Sequence, residues 1–168
     1  MPDSLVLGVD PGLGTTGWGV VKAEARRFVY VDSGFIRTNA ATPEGERLTE
    51  IYNQLQQVAR KYEVEACAVE SGFVGRGPQA ALKLGQARAA AVLAAESLNI
   101  PVTVLAPREV KMSITGRGGA SKGQVAYLVG KMLSLAFDEG EEDVSDALAV
   151  AISSVMRQRV QERKAALR

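Results

Sequence analysis

Asp10, Glu70, Asp143 and Asp146 are the side chains in this sequence best placed to do chemistry. Asp10 ends the apolar run Leu5–Val9, and Glu70 ends the run Val64–Val69. Asp143 and Asp146 stand three apart at the start of a final helical stretch, so they share one face and one end of it. No histidine accompanies them, and the single cysteine, Cys67, lies in the apolar run Ala66–Val69, where it reads as a small buried hydrophobe. A Ser-His-Asp triad, a Cys/His zinc site, an intrachain disulfide and a histidine base are therefore excluded. What remains is a hard, all-oxygen donor set of the kind that holds Mg²⁺ or Mn²⁺. Two such ions roughly 3.5–4 Å apart can activate a water and stabilise the leaving oxygen of a phosphodiester, which makes phosphoryl transfer the natural reaction. Each acid also has a plainer use. Asp10-Pro11-Gly12 is a turn signal, and Asp143 or Asp146 can cap a helix.

Charge is unevenly spread behind a net +1. Residues 1–70 carry −3, residues 71–131 carry +6 and residues 132–168 carry −2. A basic middle third between acidic flanks points to an anionic partner approached from one side, although a solvated helix surface accounts for it equally. Within that third, Arg108, Lys111, Arg117 and Lys122 are opposed only by Glu109, and Gly116, Gly118 and Gly119 let the backbone come close to a phosphate chain.

The order of elements says how the acids can meet. Leu5–Val9 reads as a buried strand, with Thr15–Val21 and Phe28–Ile36 as a following hairpin joined through Lys22–Arg27. Thr42 and Pro43 offer an N-cap and a first helical residue, and apolar residues from Leu48 to Tyr62 recur at helical spacing. Val64–Val69 forms a fourth strand, Ser71–Gly77 a glycine-rich loop, and an alanine-rich helix runs from Pro78 to about Leu98. Pro101–Leu105 gives a fifth strand; helices over Pro107–Ile114, Ser121–Leu135 and Val144–Arg157 complete the chain, with Asp138–Asp143 an acidic connection before the last. Strand, helix, strand implies a right-handed crossover, so the first and fourth strands lie parallel and adjacent. Their carboxyl ends, where open α/β sheets bind ligands, then hold Asp10 and Glu70 side by side.

These residues carry a family resemblance across essentially the whole chain. Gly8-Val9-Asp10-Pro11-Gly12 with Thr16-Gly17-Trp18-Gly19-Val20, Ala68-Val69-Glu70, Ala81 to Arg88, Val110-Lys111, Lys122-Gly123-Gln124-Val125 and Asp143 to Ala149, in this order, resemble the bacterial RuvC family of Holliday-junction resolvases. The resemblance implies a ribonuclease-H-like α/β fold with a five-stranded mixed sheet, a three-strand meander followed by parallel strands, flanked by helices. It implies a homodimer that nicks a four-way DNA junction symmetrically with divalent metal, Mg²⁺ or its substitute Mn²⁺, two ions per site, in recombination and repair alongside a branch-migration helicase. Position by position, Asp10, Glu70, Asp143 and Asp146 match the catalytic acids, Lys111 and Lys122 the basic residues tied to DNA contact, and Phe73 an aromatic that can stack on an unpaired base. Arg76 and Arg117 are further phosphate contacts by their place in the basic segment. Ser71, the stretch Gly75-Arg76-Gly77-Pro78-Gln79 and Ala89 depart from the family's usual residues and affect the loop rather than the acids.

At 168 residues the chain is expected to be a single domain, cytoplasmic, with no membrane segment or secretory leader. Two other readings remain at this point: a non-cleaving junction-binding module, in which the acids are caps and turns, and a fragment of an actin-like or sugar-kinase ATPase, for which the Asp10–Gly17 hairpin would hold phosphate.

Overall fold

In the computed structural model, which describes residues 3–72, 77–138 and 140–167, the chain opens with β1 (Ser4–Asp10), β2 (Thr15–Ala23) and β3 (Phe28–Arg37). There follow α1 (Glu44–Lys61), β4 (Ala66–Glu70), α2 (Pro78–Glu96), β5 (Val102–Leu105), α3 (Pro107–Thr115), α4 (Lys122–Leu133) and α5 (Glu142–Ala166). The strands form one sheet in the order β3-β2-β1-β4-β5, antiparallel through the meander and parallel from β1 onward. The expected side-by-side pairing of β1 with β4 is present, with Val6 opposite Ala66 and Val9 opposite Val69.

The two-residue period of a strand assigns each side chain to a layer. On β1, Leu7 and Val9 join Ile51, Leu55 and Ala59 of α1 and Ala87, Ala91 and Ala95 of α2 in one core. Val6, one step out of phase, joins Ala68 of β4 and Leu148, Ile152 and Val155 of α5 in the other, where α3 and α4 add Val110, Ile114, Val125 and Val129. The small-residue face of α2 is therefore spent on packing against the sheet and α1.

Close approach of α5 to the sheet depends on missing side chains. A Cβ at Gly8 would stand 2.0 Å from the Ala147 carbonyl oxygen and 2.7 Å from the Ala151 nitrogen, and one at Gly17 would stand 2.2 Å from the Asp143 carbonyl oxygen. These two glycines of β1 and β2 allow the backbone of α5 to lie directly on them.

Local signals decide the element ends, with some corrections. At α4, Ser121 caps as its type predicts: Gln124 N–H donates to Ser121 Oγ (3.2 Å) and Ser121 N–H to Gln124 Oε1 (3.0 Å). At α1 the expected Thr42 cap is not used. Pro43 itself is the extended cap residue, with no side-chain hydrogen bond, and its carbonyl accepts from Glu46 and Arg47 N–H. The fourth strand begins at Ala66 and not Val64, because Glu63 is left-handed (φ 50°) and Val64 N–H closes the helix onto Ala59. The largest difference is α5, which starts at Glu142 and runs to Ala166, past the expected stop at Arg157. Apart from Val160, Gln158–Lys164 are strong helix formers, Gln158 bonds Glu162 at (i, i+4), and Arg163 and Lys164 favour the negative helix end. Among the described residues no helix is long and apolar enough to cross a membrane.

Candidate active site

Strand parity delivers the first two acids to the same side of the sheet. Asp10 continues the Val6–Gly8 row of β1 and Glu70 the Ala66–Ala68 row of β4, so both face the α5 layer at adjacent strand ends. Asp146, on the second turn of α5, comes to them from above. Asp10, Glu70 and Asp146 line one cavity of about 480 Å³, which Lys111 of α3 and Lys122 of α4 also line. Asp143 does not line it. This acid lies one turn earlier on α5, backed by Gly17, yet its charge acts on Asp10.

Electrostatics in the cavity are strained toward a cation. Burial, reinforced by the charges of Glu70, Asp146 and Asp143 and only partly relieved by Lys122, carries Asp10 up to about 8. Burial, then the Asp146 charge, raises Glu70 to about 7 against the pull of Lys122 and Lys111. The Lys122 ammonium donates to Asp146 Oδ2 at 2.6 Å, with Asp146 15% exposed and the lysine 65%. Burial works against the charge on Lys122, but that bond and the nearby acids outweigh it and raise its pKa.

A divalent ion suits these residues by donor chemistry. Three carboxylates of one cavity are all hard oxygen donors, and burial with their mutual repulsion outweighs the relief that Lys122 and Lys111 bring. Among the described residues no group of three or more His, Cys, Asp or Glu is drawn together as a finished cation cage.

Linkage then gives a stability prediction. Asp10 and Glu70 hold their protons in the folded protein to about 8 and about 7, whereas in the unfolded chain they lose them near their ordinary values of 3.8 and 4.5. Between those limits the native state binds more protons, so these two groups make stability fall as pH rises from about 4 to 8. Thermal unfolding in chelator at pH 5 and pH 8 checks it: the melting temperature is lower at pH 8 for the wild type, and the drop shrinks in Asp10→Asn.

Of the other expected contacts, Arg117 is exposed on the turn after α3, where its backbone exchanges hydrogen bonds with Thr115 Oγ1, and it does not line the cavity. Phe73 and Arg76 lie outside the described residues. Cys67 is buried, which pushes its thiol up to about 12 and leaves it inert, as expected.

Two supports escaped sequence reasoning. Arg88 Nη1 donates to the Ser71 carbonyl (3.3 Å), holding the backbone directly after Glu70. Its signal is an arginine on the stripe Leu84, Ala91, Ala95 of a helix otherwise small and apolar there. Thr16, wholly buried, donates to the Gly12 carbonyl (2.8 Å) and accepts from Gly12 N–H (3.3 Å), pinning the turn that follows Asp10.

Comparison with known proteins is consistent over the whole length. The profile of the RuvC family, described as crossover junction endodeoxyribonuclease RuvC, matches residues 6–154. The RuvC of Pelodictyon phaeoclathratiforme is 42% identical over 153 residues, covering 91% of this chain and 80% of that protein. The Thermus thermophilus RuvC structure is 31% identical with a TM-score of 0.85, covering 94% of this chain and 96% of that one. The same protein in complex with Holliday junction substrate gives a TM-score of 0.88 over the same shares at 31% identity. The five-stranded mixed sheet with its flanking helices is thus the ribonuclease-H-like fold that the motifs imply.

Proposed function

The chain belongs to the RuvC family of crossover junction endodeoxyribonucleases, and from that premise we infer that it is a nuclease that resolves four-way DNA junctions. The observation that carries the reading is the meeting of Asp10, Glu70 and Asp146 in one cavity with Lys111 and Lys122 facing them. A cavity lined by both acids and lysines suits a phosphodiester: the lysines attract and orient the phosphate, and the acids stand where the reacting oxygens must be handled.

Asp10, Glu70 and Asp146, with Asp143 beside them, are the residues that would hold Mg²⁺, or Mn²⁺ in its place, at two ions per site. When bound, such ions activate the attacking water and stabilise the leaving oxygen. The remaining work falls to the protein. Lys122, its side chain 65% exposed and rooted at the first residue of the capped helix α4, can swing from Asp146 to a backbone phosphate. Lys111 holds position from α3. The Arg88–Ser71 bond and the Thr16–Gly12 pair fix the backbone on either side of the acids, so that Glu70 and Asp10 do not drift apart.

Removing Lys122 tests its role directly. Lys122→Ala lowers the nicking rate and flattens the dependence of junction affinity on salt by about one unit of log–log slope, the share of a single phosphate contact. Filter binding at several ionic strengths reads it, and an unchanged slope places Lys122 outside the phosphate footprint.

Two equivalent strands at a junction call for two equivalent sites, which a C2 homodimer supplies. Support comes from α2, whose outer side shows Leu82 and Leu93 to solvent at 64% and 59% exposure. Joint action with a branch-migration helicase follows from the same family reading. An ATPase lobe is disfavoured because the likeness to resolvase subunits covers 94% of this chain and 96% of its counterpart. A non-cleaving module is disfavoured because acids used only as caps and turns would not crowd one cavity.

The deciding experiment is incubation of the purified protein with a synthetic mobile four-way junction and Mg²⁺ or Mn²⁺, mapping the cut positions. Paired, symmetric nicks support the assignment; binding without any nick in either metal overturns it.

A further inference from the structure

The helix α3 has two working sides. Pro107, Val110 and Lys111 face the catalytic cavity, while Arg108, Glu109 and Met112 line a separate groove of about 930 Å³ against the second half of α5. Leu105 and the α5 residues Met156 and Val160 complete its apolar lining. Met112 and Val160 are 49% and 51% exposed.

The wall supplied by α5 is held for this purpose on one side only. Past Val155 the helix leaves the core, and Arg159 anchors it, stacking on the Phe28 ring at 5.0 Å and donating to the Glu24 carbonyl. Met156, Val160 and Lys164 follow one another at four-residue intervals on the side turned to α3, with exposed Leu167 beyond them. The family profile matches residues 6–154, so Met156, Val160 and Lys164 lie beyond the matched stretch.

Charge around the groove is one-sided. Arg108, Arg157 and Lys164 stand on its lining. Glu109, the one acid there, is already used: its Oε2 accepts from Ala106 N–H at 2.8 Å and its Oε1 lies 3.6 Å from Arg157. A thioether-rich floor between basic edges matches an amphipathic helix with an apolar stripe and acidic flanks. It matches duplex DNA less well, because sugar-phosphate backbone gives methionine and valine nothing to bury against.

We propose that the groove between α3 and the C-terminal half of α5 docks an acidic amphipathic helix of a partner protein. The groove shares α3 with the catalytic cavity but no residue, so partner and DNA can be held at once, with the partner seated directly behind Lys111.

The test uses full-length protein with ¹³C-methyl methionine and a synthetic helical peptide of about four turns, leucines at i, i+3, i+4 and i+7 and glutamates between. The Met112 and Met156 methyl signals shift on titration and that of Met132 does not. Val160→Glu, half-exposed and so compatible with folding, weakens binding by about tenfold or more while junction nicking is unchanged. A peptide with lysines replacing the glutamates leaves all signals in place. The proposal is overturned by three results: silence of Met112 and Met156 with the acidic peptide, equal shifts with the lysine peptide, or displacement of the peptide by junction DNA. Shifts produced by raising the protein concentration alone would assign the groove to a second copy and equally overturn it.

Discussion

Asp10→Asn abolishes nicking, leaves junction affinity nearly intact, and raises the melting temperature in chelator at pH 8. Loss of activity exceeds about 100-fold, since removing even the outer hydrogen-bond partners of metal-binding groups costs 10–100-fold, and Asp10 is the most deeply placed acid of the cavity. Affinity survives because Lys111 and Lys122, on other elements, are untouched. The gain in stability comes from the same crowding that serves the chemistry. A carboxylate raised to about 8 by burial and by three neighbouring acids destabilises the fold once ionised, and an amide of the same shape removes that charge. Glu70→Gln and Asp146→Asn lose nicking in the same way. A single-turnover assay on a labelled junction, a binding assay without metal and a melting curve check the three parts. Undiminished turnover in Asp10→Asn removes Asp10 from the catalytic set.

Gly8→Ala produces the largest loss of stability expected from one added methyl. Its Cβ would meet backbone on α5, the Ala147 carbonyl oxygen at 2.0 Å and the Ala151 nitrogen at 2.7 Å, and neither can rotate aside as a side chain would. Either α5 lifts from β1, opening Leu148 and Ile152 of the core, or the central strand bends. Overpacking in a rigid core costs about 1–3 kcal/mol and more when backbone is the obstacle, so about 3 kcal/mol or above is expected here. For a chain of this size that lowers the melting temperature by roughly 6–12 °C. Activity falls further than stability alone requires, because Asp146 rides on the displaced helix while Asp10 remains on the strand. Calorimetry and the nicking assay at a temperature where the variant is folded separate the two effects.

Residue types, spacing and strand logic carried much of this site. Asp10 and Glu70 were legible because each ends an apolar run, and the crossover rule places those runs side by side. Strand parity, which turns both acids toward α5, is also implicit in the pattern: Val6 and Gly8, Ala66 and Ala68 are the rows they continue. Lys122 was legible as a positive charge, but its bond to Asp146 depends on how α4 and α5 cross, which no local pattern encodes. The length of α5 is not legible in the pattern because its tail lacks an inward apolar stripe and the periodicity stops at Val155. The expected Thr42 cap fails for a different reason. Proline at the following position satisfies the turn through its own extended ψ and its carbonyl, without any side-chain bond. Asp143 shows the limit of face arguments: three residues from Asp146, it shares that face, yet a single turn separates lining the cavity from acting on it at a distance.

The acids are far apart along the polypeptide, and the last of them sits on the element that roofs one whole side of the sheet. A ribosome that has released only the first five strands holds Asp10 and Glu70 on an uncovered surface, with no Asp146 and no lid over Val6, Val21 and Ala68. Arming of the nuclease and completion of its core are consequently one event, reached only when the final helix has emerged and docked. A chain cut short before α5 would lack both the third acid of the cavity and the roof of one core layer.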